Sequence, residues 1–241
     1  MRNTHALLAL TALPALLFAT PEPTQSDPVQ KGTSFPQPSE GLVIPSTDDE
    51  FWSLDELLRE YGRVTSQRFL IDDDTRNLLK TARIPLLRDF EIAPEQVHSV
   101  VESLLFENDF VFAVRRAEDP RLVSVKSLNS SARNNLRQDA LFVPAEELGD
   151  WVDHPAYLIH TVLNLDALDV RQLTNSMRAM LTDANTQAII PVGNSHSLIV
   201  TGFSQQVAQI AEMMQRVNEN ERERIAKMPK PDAPTGEGER K

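Results

Sequence analysis

The chain has 241 residues, with 24 Lys+Arg against 35 Asp+Glu for a formal net charge of −11, 41% hydrophobic residues and no cysteine. That length allows one large domain or two small ones, and the apolar fraction is enough for a packed core, which excludes wholesale disorder. The acidic balance argues against nucleic acid as the main partner, and the lack of cysteine removes disulfides, thiolate metal sites, cysteine nucleophiles and a lipoprotein anchor together.

Residues 1–19 read as a secretory signal peptide. Arg2 supplies the positive start, Ala6 to Phe18 the apolar stretch, and Ala19 the small residue at the cleavage point. The apolar run is shorter than the roughly 20 residues a membrane span needs. The mature chain is therefore expected without a transmembrane segment, in the periplasm. Residues 20–49 are rich in Pro, Ser, Thr and Gln, and are expected to form a disordered Pro-rich linker.

The first patterned stretch is 50–128. Leu54, Leu57, Leu58, Tyr61 and Val64 fall at helical spacing. Ser53 and Glu56 match a capping box at the start of that helix. Phe69 to Ile71 reads as a short strand. The Asp72-Asp73-Asp74 run is a turn or helix start rather than a metal ligand set, because Asp favours caps. Arg83 to Ile92 reads as extended, with Pro85 restricting it to an edge or bulge. Pro94 opens a helix whose apolar stripe is Val97, Val100, Val101, Leu104 and Leu105. Phe110–Val114 and Leu122–Val125 alternate as a hairpin turning at Glu118-Asp119-Pro120. The order is α-β-β-α-β-β.

Residues 129–156 are expected to be an inter-domain linker, polar at its start, with a short helical piece near Pro144–Gly149 and Trp151 as a packing plug. The second patterned stretch is 157–225. A strand over Tyr157–Leu165 leads to a helix capped by Asp169, with Val170, Leu173, Met177, Met180 and Leu181 inward. Strands over Ala188–Val192 and Leu198–Phe203 turn at Gly193-Asn194. Ser204 is expected to cap a final helix with Val207, Ile210, Met214 and Val217 inward. The order is β-α-β-β-α. The fold class is α+β, with two small modules of two helices each on a three-stranded or similar sheet. Residues 226–241 read as a disordered tail.

Candidate chemistry is sparse. No G-x-S-x-G, phosphate-binding loop or H-E-x-x-H occurs, so neither catalytic residues nor a cofactor nor a metal set is assigned, and the chain is read as a non-enzyme. His154 and His196 are expected as solvated turn or edge residues. The β-α-β-β-α order is shared with KH-type RNA-binding domains, but their G-x-x-G clamp is missing. Arg171, Asn175 and Arg178 lie on one helix face and form the candidate interface.

The segments YLIHTVLNLD from Tyr157, DVRQL from Asp169 and PVGNSHSLIVTG from Pro191 resemble the ring-building repeat of bacterial secretins. LDELL from Leu54, RFLID from Arg68 and APEQVHSVVESLL from Ala93 are similar to the short N-terminal domain shared by secretins and TonB-dependent receptors. The resemblance spans about 145 of the 241 residues. No alternating lipid-facing strands follow the second module, so the resemblance implies a ring module without a channel. It implies a protein–protein assembly role in a type II-like secretion system, with a secretin or other secretion-system subunits as partners. It also implies a homo-oligomer, closed head to tail, and association with the outer membrane through a partner. The alternative is a stand-alone periplasmic binding or signalling module that recognises a peptide or receptor partner by strand addition.

Overall fold

The computed structural model describes residues 35–46, 52–117 and 121–228. The expected signal peptide, most of the expected Pro-rich linker, the Glu118–Pro120 turn and nearly all of the expected tail lie outside them.

Residues 35–46 depart from the linker expectation. They form a strap that ends in β1 (Leu42–Ile44), paired antiparallel with β3 (Phe90–Ile92). Leu42 and Ile44 bury their side chains in the core. Their alternation with Val43 is a strand pattern too short to register above the Pro-rich composition around it. Gly41 permits the close approach, because a Cβ there would collide with the Ile92 carbonyl oxygen. Most of the expected extended stretch before β3 is irregular, apart from a single bridge between Ser53 and Arg83.

α1 (Leu54–Thr65) begins at the expected capping box, with both reciprocal bonds present between Ser53 and Glu56. It buries Leu54, Leu57, Leu58, Tyr61 and Val64. β2 (Arg68–Ile71) follows. The Asp run then resolves into an additional helix, α2 (Asp73–Thr81), whose N-cap Asp72 accepts from the Thr75 amide at 2.8 Å. A 3-10 turn over Pro94–Gln96 leads into α3 (Val97–Glu107). β4 (Phe110–Arg116) and β5 (Leu122–Ser127) form the expected hairpin. β5 is central in the order β2-β5-β4, parallel to β2 and antiparallel to β4.

The 129–156 stretch carries the helical piece expected near Pro144–Gly149, with Trp151 buried, and is more structured at its polar start than expected. It holds 3-10 segments over Ser131–Asp139 and Ala145–Trp151, with β6 (Leu141–Phe142) between them. Leu136, Val143, Leu148 and Trp151 are buried in it, so four apolar anchors outweigh its polar start.

β7 (Leu158–Asn164), α4 (Val170–Met177), β8 (Ala188–Pro191), β9 (Ser197–Phe203) and α5 (Ser204–Ala226) follow the expected order. β6 joins parallel to β7, which extends the sheet to β6-β7-β9-β8. Asp169 caps α4 through the amides of Arg171 and Gln172. Ser204 does not cap α5; its hydroxyl donates to the carbonyl of His154, pinning the helix start to the joint. On α5, Val217 is largely exposed and Asn218 takes the buried place, bonded to Asp166 and to the Ala167 amide. One apolar cluster runs from β1 through α1, α3, β4 and Trp151 to β7, β9 and α5. The α+β class holds, with the two halves sharing a core.

Candidate functional site

Two features of the molecule offer chemistry. The first is surface. β7 and β9 pair residue for residue, so one face carries Ile159, Thr161 and Leu163 against Gly202, Val200 and Leu198, packed under α4 and α5. The opposite face carries Val162, Ile199 and Ile190 in one row across three strands. At one end of that face Leu158 and Phe203 are covered by Val111 and Leu136. Beyond them Phe142, paired with His160 in the next row, and Val162 and Ile190 remain exposed, at 51%, 42% and 48%. Such a row is an interaction surface in the ordinary sense of an exposed apolar patch.

Of the candidate interface on α4, all three residues are exposed. Arg171 turns its guanidinium onto the β8–β9 turn, donating to the Gly193 carbonyl at 3.2 Å and to Asn194 Oδ1. Asn175 stays on α4, whereas Arg178 opens a 3-10 turn after the helix ends.

The second feature is a buried polar cluster where the halves meet. His98 and Glu102 lie one turn apart on the core side of α3, Tyr61 faces them from α1, and His154 enters from the joint. Glu102 is fully buried. Its Oε1 accepts from the Tyr61 hydroxyl at 2.7 Å and lies 2.9 Å from His154 Nδ1, while its Oε2 has no partner among the described residues. His98 Nδ1 is 2.7 Å from the Tyr61 oxygen and 3.7 Å from Glu102, and its Nε2 is 2.8 Å from the Pro36 carbonyl. Burial pushes the Glu102 carboxyl up, but the neighbouring His154 and His98 imidazoles and the Tyr61 hydroxyl outweigh it and hold the group below the usual carboxylate range. Burial, with the neighbouring carboxylate, pushes the Tyr61 phenol well up, so it remains a neutral donor.

Phe35, at the start of the strap, stacks face to face on His154 and edges onto Trp151 and Tyr157. The Arg121 guanidinium lies 4.3 Å over that ring, buried, and among the described residues none of its nitrogens has a hydrogen-bond partner. An aromatic face is the contact such a cation keeps.

His154 therefore departs from the expectation of a solvated residue, being only 6% exposed, because Trp151 and Phe35 cover it; His196 is exposed as expected. Sequence reasoning passed over His98 and Glu102. The available signal was an H-x-x-x-E pair set inside an otherwise apolar helical stripe.

No protein-family model matches this sequence, and no curated protein does. Solved structures do. A chain of the Klebsiella pneumoniae type II secretion system outer membrane complex, with PulD, PulS and the PulC HR domain, superposes with a TM-score of 0.52 at 17% identity. The likeness is one of fold, to part of that chain. The match covers 72% of this chain but only 26% of the Klebsiella chain, so this protein spans about a quarter of its length. The GspC–GspD complex of enterotoxigenic Escherichia coli matches at 12% identity over 74% of this chain and 99% of that one, with a TM-score of 0.26. The Salmonella SPI-1 type III injectisome basal body, with InvG, PrgH and PrgK, matches at 12% over 74% and 29%, also with a TM-score of 0.26. The fold assignment rests on the first of these.

Proposed function

We propose that this chain is a non-enzymatic periplasmic assembly protein of a secretin-type, type II-like secretion system. The fold match to the Klebsiella outer membrane complex, across nearly three quarters of the chain, carries this reading. Residues 1–19 export it, and it reaches the outer membrane through a secretin or another subunit of the system. The exposed apolar residues Phe142, Val162 and Ile190 supply one surface for that subunit or for a second copy of the chain, and Arg171, Asn175 and Arg178, exposed on and just after α4, supply another. No helix among the described residues is long and apolar enough to cross a membrane.

Crosslinking in intact envelopes, followed by identification of the joined proteins, tests the reading. Crosslinks to a secretin or its inner-membrane platform are expected, and they should weaken in Ile190→Asp, which leaves the core untouched. Crosslinks confined to unrelated periplasmic proteins would overturn it. The unpaired outer edge of β8 favours a second reading, a stand-alone module that takes up a peptide as an added strand. That reading predicts capture of extended peptides by the isolated monomer.

A further inference from the structure

The buried cluster at the joint has no part in docking, and its donor set is unusual for a core. His98, Glu102 and His154 are 8%, 0% and 6% exposed. One ligand atom from each lies within 4.8 Å of the others. The separations of Glu102 Oε1 from the His154 and His98 Nδ1 atoms, 2.9 and 3.7 Å, straddle the roughly 3.3 Å between neighbouring ligands on a tetrahedral zinc ion.

Hydrogen-bond accounting points the same way. The Pro36 carbonyl only accepts, so His98 Nε2 carries the hydrogen and directs the lone pair of Nδ1 inward. A backbone carbonyl on the remote nitrogen is the usual support of a metal-bound imidazole. Tyr61 then has one hydroxyl proton for two acceptors, His98 Nδ1 and Glu102 Oε1, each at 2.7 Å. Glu102 Oε2 stays unpartnered among the described residues. Even with His154 Nδ1 donating to Glu102 Oε1, the two Tyr61 contacts share one proton and Oε2 has none, a deficit that one bound cation would relieve.

We propose that His98, Glu102 and His154 form a buried site for a divalent transition-metal ion, zinc by its two imidazoles and one carboxylate. The ion would clamp α3 to the joint beneath Phe35, with the Tyr61 hydroxyl bonded to the Glu102 carboxylate. The competing solution is a proton on His98, with Nδ1–H donating to Tyr61 and Tyr61 to Glu102. The nearby Arg121 guanidinium, which already brings positive charge to this centre, favours that competitor, so the test must separate the two.

The full chain, stripped with chelator, is titrated with Zn2+ by calorimetry and with Co2+ by visible absorption. One ion per chain is expected, with the intense visible bands of tetrahedral cobalt and a higher melting temperature. Affinity should fall by roughly 10–100-fold or more in His154→Ala and in Glu102→Gln, since losing an outer-shell partner alone costs that much. His160→Ala and His196→Ala, on the half-exposed and exposed histidines, should leave binding unchanged. If either ligand variant fails to fold, the wild-type chain still decides. Folded wild-type protein without tetrahedral cobalt bands overturns the site, as does binding lost with His160 or His196 instead. A melting temperature that responds to acid but not to metal assigns the missing cation to a proton, and also overturns it.

Discussion

Asp72 shows how much one side chain does at a helix start. It accepts from the Thr75 amide and meets Lys126 Nζ at 3.0 Å. Burial raises its pKa, but the Thr75 amide and the lysine outweigh that and hold the group below its ordinary value. A depressed carboxyl contributes stability above the unfolded pKa of about 3.9, and the contribution disappears as pH falls through the lower folded value. Asp72→Ala should therefore cost about 1 kcal/mol at neutral pH in chemical denaturation. The difference from wild type should begin to shrink below about pH 4 and be smallest below the lower folded value, where the wild-type carboxyl has also lost its charge. A difference that grows in acid would show that the charge opposes folding. The lysine contact is partly exposed to solvent, so added salt should weaken it and leave the cap.

At the scale of elements, the strand ladder decides which face of the second sheet is core. Val200 is fully buried and lies against α5. Ile190, its near neighbour on β8, points to the open face. Val200→Asp buries a charge with no partner and should cost on the order of 4 kcal/mol or prevent folding. Ile190→Asp should stay within about 0.5 kcal/mol of wild type. Equal melting temperatures for the two variants would contradict the register. The same period-2 alternation made this hairpin legible from its residues. α2 was less legible, because its apolar stripe is short and only Leu79 and Thr75 are buried along it. The strap was missed for a related reason, since three strand residues follow a long Pro-rich stretch.

For the whole molecule, the joint matters most. Phe112 donates its amide to the Ala156 carbonyl at 2.8 Å and bridges to Tyr157, so the two sheets are stitched through β4. Trp151 is 1% exposed and sits in the shared cluster. Calorimetry should show one unfolding transition for residues 35–228. Trp151→Ala should lower it by about 3–5 kcal/mol as a unit. Two separate transitions, with Trp151→Ala moving only one, would mean that the halves fold independently.

Local chemistry by itself determined the α+β class, the capping box of α1, the caps at Asp72 and Asp169, and the β7–α4–β8–β9–α5 order. Each depends on neighbours a few residues apart, where periodicity and capping act. Only tertiary structure decided that Phe35 covers His154, that Ser204 bonds the joint instead of its own helix, and that Tyr61, His98, Glu102 and His154 share one buried centre. Glu102 and His154 are 52 residues apart. A polar side chain is tolerable in a core only when its partners arrive from such distances, and neither composition nor spacing records that meeting.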